Sequence, residues 1–284
     1  MKAPSAPPAA PQPEPLPAPA FDAHTHLDML PGPVDAVLAD ARAAGICRVV
    51  TVGCDVQSSR WVTARAAEHA GIFAAVAIHP NETARAEAGA GRAAVLAEIA
   101  ALAALPQVRA VGETGLDYYR DHAPPELQRE WFRGHIEIAK AAGKALMIHD
   151  RDAHEDVLAI LEQQGAPEHV IFHCFSGDAD MAKRCAGAGY VLSFAGNVTF
   201  PSAVQLREAA AVAPADLILA ETDAPYLTPV PNRGRMNAPA QVAHTLRAIA
   251  GVKGMDVAEL CAGVMATGER VFGPWQDAAE RAVP

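Results

Sequence analysis

The chain has 284 residues, 51% of them hydrophobic, and a formal charge of −10. This is material for one large core, on the scale of an α/β barrel of about 250 residues. The acidic balance argues against a broad basic face wrapped around duplex nucleic acid, so any such contact is expected to be local or carried by metal cations.

Residues 1–20 are rich in proline and alanine and read as a disordered or polyproline-II-like extension, with no apolar core of a signal peptide. No run of about 18 apolar residues occurs, so no membrane span is expected. Cys47, Cys54, Cys174, Cys185 and Cys261 form no CxxC pair. Reduced thiols in a cytoplasmic protein are the expectation.

From residue 20 the text alternates between short apolar runs and longer Ala/Leu/charged segments. Strands are expected at 20–25, 47–54, 73–79, 108–113, 145–149, 170–174, 190–194 and 217–223. Helices are expected at 34–44, 57–70, 91–105, 124–142, 151–164, 178–188, 202–213, 238–250 and 256–271. Gly45, Gly71, Gly143, Gly165 and Gly189 fall where helices should end, and Pro124-Pro125-Glu126 opens one. In helix 124–142 the residues Leu127, Trp131, Ile138 and Ala142 make the stripe expected to face a sheet. The alternation predicts a single α/β domain, a (β/α)8 TIM barrel over residues 21–276, followed by a tail at 277–284. An open doubly wound sheet is the alternative.

The strand ends favour the barrel. His24 and His26 sit two apart in Phe21-Asp-Ala-His-Thr-His-Leu-Asp28, and alternate residues of a strand share a face. Two imidazoles on one face make a pincer for a borderline metal ion. Glu113, His149, His173 and Asp223 end four further apolar runs. In a closed barrel such ends converge on one mouth, whereas an open sheet spreads them along an edge. Glycines flank Glu113, which suggests a close approach of backbone to a ligand, and a carboxylate can bridge two cations as an imidazole cannot. Asp223, which precedes Ala-Pro, is expected to bind metal and to take a proton from water rather than to serve only as a turn residue. Four histidines and two carboxylates exceed one tetrahedral site and suit two divalent ions sharing Glu113, drawn from Zn, Mn, Co, Ni or Mg. His79 before Pro80 is read as a substrate contact or a plain loop residue; His69, His122, His135, His154, His169 and His244 as structural or solvated; Cys174 as a buried thiol.

Taken together, Phe-Asp-Ala-His24-Thr-His26-Leu-Asp, Gly-Glu113-Thr-Gly-Leu-Asp117-Tyr-Tyr, Ile-His149-Asp-Arg151-Asp-Ala, His173-Cys-Phe-Ser-Gly177 and Glu221-Thr-Asp223-Ala-Pro-Tyr-Leu resemble the TatD family of metal-dependent deoxyribonucleases, in family order over about residues 20 to 273. The resemblance implies a TIM barrel with a divalent metal pair and 3′→5′ exonuclease action on single-stranded DNA. It implies His24 and His26 on one ion, His149 and His173 on the other, Glu113 between them, and Asp223 on the first ion as proton acceptor. The chain departs from the family at Arg235-Met236-Asn237-Ala238-Pro239, which lacks an acidic residue before the proline, at Gly268, where relatives commonly carry Asn, and in its proline-rich front.

The expected substrate is therefore a single-stranded DNA or RNA end, hydrolysed with a metal-activated water by a monomer, with catalytic roles for Asp223 and Glu113. Arg151, Arg120, Arg233 and Arg235 are candidate phosphate contacts, and Tyr118 or Tyr119 a base-stacking residue. Two alternatives remain: a metal-dependent deacylase or amidohydrolase, including one acting on aminoacyl-tRNA, and a non-catalytic metal-loaded scaffold.

Overall fold

In the computed structural model, which describes residues 7–274, eight parallel strands form one sheet in the order β1 to β8. They are β1 Ala20–Thr25, β2 Ile46–Gly53, β3 Ile72–Val76, β4 Val108–Asp117, β5 Ala145–Arg151, β6 Val170–Phe172, β7 Val191–Phe194 and β8 Ile218–Ala220. Around them lie α1 Val34–Ala43, α2 Val56–Glu68, α3 Thr83–Ala88, α4 Arg92–Ala103, α5 Pro125–Ala142, α6 His154–Gln164, α7 Ala179–Gly187, α8 Val204–Val212, α9 Val242–Lys253 and α10 Val257–Phe272. The fold is the (β/α)8 barrel; the open sheet is excluded by the way β1 meets the segment leaving β8. There the Asp223 N–H donates to His24 O at 2.9 Å and the His26 N–H to Ala224 O at 2.8 Å.

The strands are buried along nearly their whole length because helices cover the outside and side chains fill the inside. α5 has its hydrophobic face rotated from the expected stripe. Gln128, Trp131, Phe132, His135, Ile136 and Ala139 are buried, while Leu127, Ile138 and Ala142 sit at its margin. Two polar residues lie in that face because each has a partner: Gln128 accepts from the Asp117 N–H at 2.8 Å, and His135 Nε2 accepts from the Ile78 N–H at 3.2 Å.

β4 continues four residues past its expected end at Glu113, to Asp117. β8 ends at Ala220 and β6 at Phe172, so Asp223 and His173 project from loops just beyond their strands. α3 fills a stretch where no helix was expected.

Residues 7–19, expected to form a disordered or polyproline-II-like extension, lie along the barrel. The Met236 N–H donates to Pro8 O and the Ala10 N–H to Met236 O. Gln241 Nε2 donates to Pro11 O, Arg247 reaches Glu14 O and Pro15 O, and buried Leu16 packs against Gly45, its N–H donating to Ala44 O. The tail at 277–284 lies outside the described residues.

Candidate metal centre

Irregularities in two strands turn ligands into the mouth. The β1/β2 register shifts between Asp22 and Thr25, around His24, and the β4/β5 register shifts between Val111 and Thr114, around Glu113. Such bulges re-aim a side chain at the rim of a barrel. Gly112 and Gly115, read from sequence as room for a ligand, serve a different purpose. A Cβ on Gly112 would lie 2.5 Å from Met147 Cβ, and one on Gly115 would lie 2.1 Å from His149 O. The close approach is to β5, and it brings Glu113 and His149 together. Asp223 has φ 53, the left-handed region that costs most side chains but that Asp tolerates.

Buried Glu113 divides its oxygens between two groups of imidazoles. Oε1 lies 3.4 Å from His26 Nε2 and 3.8 Å from His24 Nε2. Asp223 Oδ1 lies 3.5 and 3.7 Å from the same nitrogens, which are 3.3 Å apart. Glu113 Oε2 lies 2.9 Å from His173 Nε2, 3.3 Å from His149 Nδ1 and 3.8 Å from His79 Nε2.

The far nitrogen of each ring fixes its tautomer. His26 Nδ1 donates to Val52 O at 3.1 Å, His149 Nε2 to Asp117 Oδ2 at 3.1 Å, and His173 Nδ1 to Glu221 Oε1 at 3.0 Å. His24 Nδ1 meets the weak acceptor Met147 Sδ at 3.2 Å. With protons held on the outward nitrogens, the inward ones present lone pairs to each other and to Glu113 and Asp223. Lone pairs so close repel unless a cation sits among them, and a backing carboxylate or carbonyl is the usual support of a metal-binding imidazole. The donor atoms fit divalent metal, and among the described residues they gather in overlapping groups: His24, His26 and Asp223; His24, Glu113 and His173; His26, Cys54 and Glu113; and His79, Glu113 and His149.

Without a cation the charges must balance among themselves. Burial works against the Glu113 carboxylate, but the His173 imidazole, with hydrogen bonds from His149 and His173, holds it well below the usual range. Burial and the neighbouring His173 hold His24 well below the usual imidazole value. Burial also opposes charge on His149 and His173, yet both are raised, the first by Asp117 and Glu113, the second by Glu221 and Glu113. Burial lowers His79 to about 3, leaving it a neutral ring.

All six expected metal donors come together. Of the expected substrate contacts, His79 stands at the centre, and the Arg151 guanidinium lies 3.8 Å over the exposed ring of Tyr119 at the mouth. Arg120 is exposed on the same loop, its N–H donating to Asp117 Oδ1. Arg233 is stacked 4.1 Å over Phe200, and Arg235 reaches back to Ala9 O. Tyr118 is turned to Asp156 and Arg129. Asp117, Glu221 and Cys54, whose Sγ lies 3.5 Å from Glu113 Oε1, were not singled out from sequence. The period-two rule that marked His24 and His26 also sets Asp117 with Glu113 and Glu221 with Asp223; Cys54 carries no such signal.

The family described as TatD related DNase matches residues 21–273. The chain is 45% identical over 262 residues to the uncharacterized metal-dependent hydrolase TatD of Mycobacterium tuberculosis, covering 89% of this chain and 97% of that one. It is 33% identical over 246 residues to a Citrobacter rodentium protein named 3′-5′ ssDNA/RNA exonuclease TatD, covering 84% and 91%. The crystal structure of the TatD homologue YjjV from Escherichia coli superposes with a TM-score of 0.83 at 25% identity, covering 90% of this chain and 98% of that one. The chain belongs to the TatD-related DNase family of metal-dependent hydrolases.

Proposed function

We propose that this protein hydrolyses phosphodiester bonds at single-stranded nucleic acid ends, as a 3′→5′ exodeoxyribonuclease that also accepts RNA, and acts as a monomer. The observation that carries the reading is Glu113, one buried carboxylate serving both imidazole groups. Two divalent ions, if held there by the imidazoles, Glu113 and Asp223, would supply Lewis acidity toward a phosphoryl oxygen and lower the pKa of a bound water. The name of the Citrobacter rodentium relative supports the choice of substrate.

The side chains divide the remaining work. Asp223, a partly exposed carboxylate, accepts the proton of the attacking water. Asp117 and Glu221 hold the rings of His149 and His173 in place and fix which nitrogen faces inward. Arg151, set flat on Tyr119, presents a planar fork to a phosphate oxygen. His79, kept neutral by burial, donates a hydrogen bond to the substrate from Nε2.

The test is a digest of a 5′-labelled single-stranded DNA with chelated protein and Mg, Mn or Zn added back. A ladder shortening from the 3′ end is expected. An intact oligonucleotide with every ion, together with turnover of aminoacyl-tRNA, would replace this reading with that of a deacylase.

A further inference from the structure

Apolar side chains stand exposed on two sides of the polar mouth. Tyr226, three residues beyond Asp223, is 54% exposed, and Met29, just beyond β1, is 43% exposed. The Tyr226 hydroxyl reaches Met29 Sδ at 3.6 Å, and its ring lies edge-on to His26, centroids 6.3 Å apart. Tyr119, just beyond β4, is 63% exposed, with one face covered by Arg151.

Hydrogen bonds hold the backbone at both positions. The Tyr226 N–H donates to Asp223 O at 2.8 Å, and Tyr226 O accepts from Asn237 Nδ2 at 2.5 Å. The Tyr119 N–H donates to Asp117 Oδ1 at 3.1 Å, and the preceding Tyr118 N–H to Arg151 O at 2.9 Å. Each ledge is therefore tied to residues of the metal centre itself, Asp223 on one side and the Asp117–His149 pair on the other.

The barrel sets them apart. β8 and β1 are neighbours across the closure, and β4 and β5 lie half a turn round the ring of eight strands. A chain of contacts through His26, Glu113, His149 and Asp117 links Tyr226 to the Tyr119 backbone. An exposed aromatic ring beside a polar centre offers a face on which a planar group of a ligand can rest. A planar aromatic group on each side of a phosphodiester suits this layout, and stacking is tolerant of which base it is.

We infer that Tyr226 with Met29, and Tyr119 with Arg151, are two base-stacking ledges that hold the nucleobases on either side of the scissile phosphodiester apart from each other. The two bases must unstack from each other to reach opposite lips. A paired strand resists this, so the ledges select unpaired ends. The inference rests on the phosphodiesterase reading and adds the residues that recognise the strand.

The test compares kcat/KM on an intact single-stranded oligonucleotide with that on oligonucleotides carrying a tetrahydrofuran abasic residue at the terminal or at the penultimate position. The wild type should prefer the intact strand by about tenfold over each abasic strand. Tyr226→Ala should erase the preference at one position and Tyr119→Ala at the other, while Tyr226→Phe keeps it. A purely structural role would lower all rates together and leave the preferences standing, which would overturn the ledges alone. A wild type that cleaves methyl p-nitrophenyl phosphate but no oligonucleotide would overturn both the ledges and the nuclease reading.

Discussion

Asp117 Oδ2 lies 3.1 Å from His149 Nε2, on the far side of the ring from Glu113. The same carboxylate accepts from Asn81 Nδ2 and from the Tyr119 and Arg120 N–H groups. Partial burial raises its pKa, but His149, Arg120 and Asn81 together hold it below the usual range. It remains an anion behind the imidazole and favours the tautomer whose lone pair faces inward. Asp117→Asn should weaken divalent-ion binding by about 10- to 100-fold. Calorimetric titration of chelated protein checks this; unchanged affinity would remove Asp117 from the metal-supporting set.

The two imidazole groups should lose their ions separately. His26→Ala and His173→Ala should each reduce bound metal to about one equivalent per chain, whereas Glu113→Ala should reduce both sites. Each should lose hydrolytic activity with its circular dichroism intact. Metal analysis after gel filtration gives the counts. Two equivalents retained by the Glu113 variant would contradict the bridging role.

The N-terminal strap should stabilise the barrel. Deleting residues 1–15 removes the backbone partners of Met236 at Pro8 and Ala10, that of Gln241 at Pro11, and those of Arg247 at Glu14 and Pro15. At about 1 kcal/mol for each bond that is not replaced by water, Tm should fall by roughly 2–8 °C. Scanning calorimetry reads the shift, and an unchanged Tm would show that the strap lies on the surface without contributing.

At Gly268 a Cβ would lie 2.3 Å from Phe21 Cε1 and Cζ. Phe21 is fully buried and set edge-on against Phe272, centroids 6.2 Å apart, so its ring has little room to yield. Alanine in a helix normally gains about 1 kcal/mol over glycine, but overpacking costs about 1–3 kcal/mol. We expect Gly268→Ala to destabilise the protein and Phe21→Leu to relieve it in the double variant. Urea unfolding of the single and double variants decides, and a stabilised Gly268→Ala would contradict the packing argument.

His135 sets a pH limit. It accepts from the Ile78 N–H at Nε2, so Nδ1 carries the proton toward Thr114 Oγ1 at 2.8 Å. Burial lowers it to about 3 from the ordinary 6.5. The unfolded chain therefore binds the extra proton between those values. The stability from His135 is full above pH 6.5 and is lost as pH falls toward 3, by up to about 1.4 kcal/mol per pH unit. His135→Gln should flatten the fall of unfolding free energy between pH 6.5 and 4. Equal slopes in the two proteins would assign the acid sensitivity elsewhere.

The barrel and the six side chains that meet at its mouth were legible in the primary order because both are local. Alternation of strand and helix is written in short apolar runs, and each ligand sits at or just past the end of one. What supports those ligands is not local. Val52, Met147, Asp117 and Glu221 reach the backs of His26, His24, His149 and His173 across 26 to 123 residues of chain. The glycines beside Glu113 read as space for a ligand until the β4/β5 pairing showed them to be space for a strand. The strap, the stripe of α5 and the opposed tyrosines follow the same rule. Residue type and spacing determine which chemistry the chain can perform. Register and closure, which depend on how distant backbones pair, decide which side chains hold it in place.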